Sequence, residues 1–125
     1  MNIVKIPAEK TTPEVELNPN GSIRIKGRSI HENIRDFFNP IEEWIGDYVD
    51  NDPAEVTTID VNLEYFNSAT AKALLNILQK LIRVQLKSRK LVVNWYYEEG
   101  DEDLQERGEY FASVLKIPFN FRVVR

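Results

Sequence analysis

The segment from 55 to 66 constrains the rest of the chain most. Thr57, Ile59, Val61, Leu63 and Tyr65 alternate with Thr58, Asp60, Asn62 and Glu64. Successive strand side chains point to opposite faces, so this period of two predicts one apolar and one polar face. Helical patterns flank the segment on both sides. A strand between two helices belongs to β–α–β units, whose crossovers join parallel strands with a fixed right hand. Parallel strands covered on both faces read as continuous apolar runs. This one does not. The spacing therefore predicts a sheet with helices mainly on one face and water or a partner on the other.

The remaining segments fit around it. Residues 3–6 are short and apolar, closed by Pro7. Residues 14–18 and 22–26 alternate on either side of Pro19-Asn20-Gly21, which predicts a hairpin. Ile34, Phe37, Phe38, Ile41, Trp44, Ile45, Tyr48 and Val49 recur at helical spacing. Pro40 leaves two readings of that helix. Asn39-Pro40-Ile41-Glu42 offers an N-cap, an N1 proline and an acidic N3, or the helix runs through residues 33–38 and kinks at Pro40. A second helix is predicted from Ser68 to about Lys87, with Ala71, Leu74, Leu75, Leu78, Leu81 and Ile82 inward and the stripe reaching toward Leu86. Residues 91–97 read as a strand. Residues 101–116 read as a helix with Leu104, Phe111, Ala112 and Leu115 inward. Residues 119–124 read as the last strand. The predicted fold class is α/β. It has a mixed, mostly parallel five-stranded sheet, an N-terminal hairpin and three helices mainly on one face, all in one domain spanning 1–125.

Composition narrows the function. The 125 residues include no Cys and one His, which removes disulfides, thiolate metal sites and multi-histidine centres. The formal charge of −4 argues against generic nucleic-acid binding. No stretch has the uncharged length of a membrane span, and the N-terminus has no apolar signal core, so a cytoplasmic protein is expected. There is no Gly-rich phosphate loop, no Gly-x-Ser-x-Gly elbow and no Ser–His–Asp set. Neither a cofactor, a metal nor an enzymatic role is expected.

Four stretches remain as candidates. Tyr65-Phe66-Asn67-Ser68-Ala69-Thr70-Ala71-Lys72 falls where the central strand meets the second helix. Asn67 or Ser68 suits a structural cap there. The same free N–H groups and the helix dipole also favour an added anion, so a hydroxyl at this point suits phosphorylation. Gly27-Arg28-Ser29-Ile30-His31-Glu32-Asn33 leaves its strand at the same edge. His31 lacks a second ligand, and Glu32 or Asn33 suits the start of the next helix. The run Glu98-Glu99-Gly100-Asp101-Glu102-Asp103 has no EF-hand spacing and suits a helix N-terminus. Lys80, Arg83, Lys87, Arg89 and Lys90 suit a solvated helix end.

With these residues in view, the chain resembles the SiaC-type bacterial regulatory phosphoproteins, whose fold is similar to STAS domains. The markers are Gly27-Arg28-Ser29-Ile30-His31-Glu32-Asn33, Phe38-Asn39-Pro40 with Trp44, Leu63 through Lys72, Trp95-Tyr96-Tyr97-Glu98 and Pro118-Phe119. The resemblance spans nearly the whole chain. It departs at His31, where the family often has Pro, and at Ser68, where the acceptor is Ser rather than Thr. It implies a non-catalytic switch. A partner Ser/Thr kinase would phosphorylate Ser68, with Thr70 the second choice, and a PP2C-like phosphatase would reverse it. The unmodified form would bind and activate a diguanylate cyclase in cyclic-di-GMP and biofilm signalling. The implied partner interface is Glu32, Asn33, Tyr65, Asn67, Ser68, Thr70 and Lys72. Three other readings stay open in the residues: an anti-sigma-factor antagonist binding an anti-sigma kinase, a small enzyme built on Glu32, Glu64 or the acidic run, and an RNA binder using the basic helix end. Nucleic acid and membrane are not expected partners.

Overall fold

The computed structural model describes residues 1–125. Strands β1 (Val4–Ile6), β2 (Glu14–Asn18) and β3 (Ser22–Ser29) lead into helix α1 (Ile34–Asp50). Strand β4 (Val56–Phe66), helix α2 (Ser68–Ile82), a 3₁₀ turn (Arg83–Lys87), strand β5 (Lys90–Glu98), helix α3 (Glu102–Leu115) and strand β6 (Asn120–Val124) follow. The sheet runs β1-β2-β3-β4-β5-β6. Its first three strands are antiparallel, and β3 through β6 are parallel. The class is as expected, but the sheet has six strands, not five. The extra one is Val4–Ile6, which pairs along the outer side of the hairpin with Lys5 opposite Glu16.

Each crossover moves one strand along, so α1, α2 and α3 lie side by side over one face. That face holds a single core of 25 buried residues. It joins Ile23, Ile25, Ile59, Val61 and Trp95 from the strands to Ile41, Ile45, Leu74, Leu78 and Phe111 from the helices. The opposite face is polar, as the alternation in β4 requires. There Lys5, Glu16, Arg24, Asp60, Asn94 and Asn120 stand in one register row across all six strands. Lys5 pairs with Glu16 at 3.7 Å and Arg24 with Glu16 at 3.3 Å. Asn94 Nδ2 donates to Asp60 Oδ1 (2.8 Å) and Asn120 Nδ2 to Asn94 Oδ1 (3.2 Å).

One open reading is decided and two local expectations are corrected. First, of the two readings at Pro40 the continuous helix holds: α1 starts at Ile34 and runs through Pro40 rather than beginning at Asn39-Pro40. The proline forgoes one intrahelical bond. Burial of Ile34 and Phe38, two turns and one turn upstream of Ile41, holds the first segment helical despite that loss. Second, the inward stripe of α2 does not reach Leu86, which is 86 % exposed. After Ile82 the backbone tightens to three residues per turn, and the phase of the stripe is lost. Within α2 the buried positions include Ala73 and Ile77, while Ala71, Leu75 and Ile82 are half-buried. Third, Tyr65 does not face inward. The β3–β4 register skips one residue: Gly27 opposes Leu63, but Arg28 opposes Tyr65. The extra residue, Glu64, makes a bulge that reverses the alternation. Tyr65 turns outward, 61 % exposed, and Phe66 turns into the core. Gly27, at φ +121, supplies the backbone conformation that side-chain-bearing residues avoid.

The basic helix end also finds an internal use. Helix α1 has no basic residue in its last turn. Lys87 supplies the missing charge from the 3₁₀ turn, its Nζ donating to the carbonyls of Val49 (2.8 Å) and Asn51 (3.3 Å). Arg83 pairs with Asp50, and Arg89 donates to the Pro53 carbonyl. The Lys87 bonds satisfy the carbonyl end of α1, which favours cations. Lys87→Met is expected to cost about 1–2 kcal/mol. In thermal melts that is a fall in Tm of roughly 4–8 °C. An unchanged melt would show the cap to be idle.

Candidate functional site

The two loops that the sequence places at one sheet edge meet there. The link is Asn67, at the boundary of β4 and α2. Its Oδ1 accepts the Thr70 N–H (2.9 Å), which caps the helix. Its Nδ2 donates to the His31 carbonyl (3.3 Å), and its own N–H donates to the Ser29 carbonyl (3.1 Å). One side chain thus caps α2 and ties it to the β3–α1 loop. Between the alternatives of Asn67 and Ser68 as the cap, the structure gives Asn67.

Thr70 completes the brace from below. It is fully buried. Its hydroxyl donates to the Ser29 carbonyl (2.9 Å) and shares a 2.7 Å hydrogen bond with the buried Ser29 hydroxyl. Ser68 is the first residue of α2 and is exposed. The two hydroxyls are therefore unlike: one is locked in a buried pair, and the other faces solvent. Lys72, one turn beyond Ser68, is exposed as well.

The β3–α1 loop brings Glu32 and Asn33 to the surface on the same edge. Asn33 occupies the N-cap position of α1 but makes no side-chain cap bond. Its N–H instead donates to His31 Nδ1 (3.0 Å), so His31 organises its own turn. Tyr65 stands outward from the bulge, with the Arg28 guanidinium 5.5 Å from its ring centre and Arg28 Nε 3.2 Å from Glu64 Oε2.

A groove of about 380 Å³ opens beside Ser68, between the start of α2 and α3. Arg107 and Tyr110 line it with Ser68. Arg107 Nη1 donates to the Phe66 carbonyl (3.1 Å), and its guanidinium lies 4.6 Å from the Phe66 ring centre. Neither residue stands out in the sequence. They lie about forty positions downstream of Ser68, and only the side-by-side order of α2 and α3 brings them near. The available signal was that order, together with the i, i+3 placement of Arg107 and Tyr110 on the flank of α3 beside the inward Leu104 and Phe111.

The acidic run does not converge. Asp101 caps α3 by accepting the Leu104 N–H (3.0 Å), Asp103 pairs with Arg107 (3.5 Å), and Glu99 pairs with Arg125 (3.5 Å). No helix is long and apolar enough to cross a membrane.

Comparison with known proteins agrees with this fold. A relative from Pseudomonas aeruginosa (strain UCBPP-PA14), described as an uncharacterized protein, is 26% identical over 120 residues, 95% of this chain and 94% of its own. The crystal structure of apo-SiaC from Pseudomonas aeruginosa superposes with a TM-score of 0.85 at 23% identity, covering 98% of this chain and 99% of that one. A crystal structure of the diguanylate cyclase SiaD in complex with its activator SiaC, from the same organism, matches with a TM-score of 0.87 at 24% identity. That match covers 97% of this chain and 99% of that one. The family model described as SiaC family regulatory phosphoprotein matches residues 6–124. With the expected sheet, helix order and loop junction in place over that span, this chain belongs to the SiaC family of regulatory phosphoproteins.

Proposed function

We propose that this protein is a non-catalytic switch whose state is set by phosphate on Ser68. A partner Ser/Thr kinase writes the phosphate, and a PP2C-like phosphatase erases it. The unmodified form binds and activates a diguanylate cyclase in the cytoplasm, feeding cyclic-di-GMP signalling. The observation that carries this reading is the contrast between two neighbouring hydroxyls. Ser68 is exposed at the first position of α2, whereas Thr70 is sealed against Ser29. A kinase active site needs an accessible hydroxyl, so Ser68 rather than Thr70 is the acceptor. The cyclase enters through the related SiaC, which is seen with SiaD as its activator.

The physical basis of the switch is local. A phosphate adds about −1.5 to −2 charges and three acceptor oxygens. At the start of α2 the free N–H groups and the dipole tolerate that charge, so the fold survives. A partner seated on the same edge has to desolvate the phosphate or face it with like charge. Tyr65 supplies an exposed aromatic anchor there, Glu32, Asn33 and Lys72 are exposed as well, and Asn67 and Thr70 brace the junction.

Affinity for the cyclase, measured with wild type, Ser68→Ala and Ser68→Asp, tests this. Ser68→Ala is expected to bind as wild type does. Ser68→Asp is expected to bind roughly 10- to 100-fold more weakly, the equivalent of about 1.4–2.8 kcal/mol. Equal binding by all three would remove Ser68 from the switch.

A further inference from the structure

We infer that Arg107 is the intramolecular receiver of the Ser68 phosphate, the residue that holds the modified side chain against its own domain. The inference rests on Ser68 being the acceptor. Its geometric basis is the groove between α2 and α3, which Ser68 and Arg107 line together.

Arg107 is placed before any phosphate arrives. Its Nη1 reaches the carbonyl of Phe66, two residues upstream of Ser68, at 3.1 Å. Its guanidinium carbon is 4.6 Å from the Phe66 ring centre. These contacts fix the head group at low cost in side-chain freedom. Its remaining carboxylate partner is Asp103, at 3.5 Å through Nε, and that side chain is exposed. An exposed single-point pair one helical turn apart contributes little. A guanidinium has five N–H donors, so most remain available. A phosphate dianion offers a bidentate, charge-assisted partner of higher charge than Asp103. On phosphorylation Arg107 exchanges Asp103 for the phosphate while keeping its place on Phe66.

The other charges around the groove are accounted for. Lys72, on the same helix as Ser68, and the N-terminus of α2 favour the phosphate dianion. Asp103 and Glu106, on α3, oppose it. With two carboxylates against it, the phosphate is held only if Arg107 is there to receive it. Arg107 therefore acts as a positioning residue: it sets where the phosphate lies and how the rim carrying Tyr110 is presented to a partner.

The test uses the full chain with phosphoserine placed at position 68 during translation, followed by ³¹P NMR titration. In the otherwise wild-type protein the second ionisation of the phosphate is expected about half a pH unit to one unit below that of Arg107→Gln, because an adjacent cation favours the dianion. Arg107→Lys should restore part of the difference, since it keeps the charge but loses the fork. Lys72, Asp103, Glu106 and the helix dipole are common to all three proteins, so the difference isolates Arg107. Matching amide spectra of the unphosphorylated forms check that each variant is folded. Identical titrations in wild type and Arg107→Gln would overturn the inference. Because translation, not a kinase, installs the phosphate, that failure is separate from a failure of Ser68 as the cellular acceptor, which phosphopeptide analysis of the protein from its host reads directly.

Discussion

Thr70→Asp is expected to unfold the domain or lower its Tm by more than about 10 °C, while Ser68→Asp leaves it within a few degrees of wild type. The two substitutions add the same charge two residues apart. At position 70 the carboxylate would sit where nothing is exposed, facing the Ser29 carbonyl that now accepts the Thr70 hydroxyl at 2.9 Å. An acceptor would oppose an acceptor, with no cation beside it. Burying an unpaired charge costs several kcal/mol, comparable with a large part of a domain's stability of about 5–15 kcal/mol. At position 68 the carboxylate is solvated and lies at a helix N-terminus, which favours it by roughly 0.3–1 kcal/mol. Circular dichroism melts of the two variants decide the matter. A stable Thr70→Asp protein would mean the Ser29–Thr70 pair opens readily, and Thr70 would regain standing as an acceptor.

Gly108→Ala carries the second large effect, and its sign runs against helix propensity. Alanine inside a helix ordinarily gains about 1 kcal/mol over glycine. Here a Cβ on residue 108 would stand 2.6 Å from both Cδ1 and Nε1 of Trp95. Trp95 has nowhere to go. Its Nε1 donates to the Leu104 carbonyl (3.0 Å), and its ring is bounded by Phe66, Phe111 and Phe119 with centroids 5.4–6.1 Å away. Relief requires α3 to lift from the sheet. We expect a net loss of about 2–3 kcal/mol, seen as a lower denaturation midpoint in urea. In a Trp95→Phe background the added methyl should cost at least about 1 kcal/mol less, a coupling that a double-mutant cycle measures. A stabilised Gly108→Ala protein would contradict the fit between α3 and Trp95.

Much of the fold follows from period and order. The polar face of β4, the hairpin and the sequence of crossovers are local signals, and each survives in three dimensions because burial reinforces it. What escaped were features set by partners distant in sequence. The bulge at Glu64 is visible only in the register against Gly27 and Arg28, so alternation alone turned Tyr65 the wrong way. Pro40 left two readings of α1 open in the sequence, and burial of the turns on both sides of it decides for the continuous helix. The basic end of α2 looked like a solvated face, yet Lys87 and Arg89 serve carbonyls at and just beyond the end of α1. At the candidate site the β4–α2 junction and its cap were legible from residue types. The contrast between Ser68 and Thr70, and the presence of Arg107, were not, because both depend on what packs against the junction.

The register row of Lys5, Glu16, Arg24, Asp60, Asn94 and Asn120 bears on the company this molecule keeps. Side chains that bond sideways to one another have few donors or acceptors left for a stranger. A second sheet stacked on that surface would have to break the Asp60–Asn94–Asn120 chain and strip water from the Arg24–Glu16 pair before making a contact of its own. The open side of the sheet is in this way a poor adhesive. In the proposed switch, encounters fall instead on the narrow rim at the carboxyl ends of the parallel strands, where Ser68 is exposed.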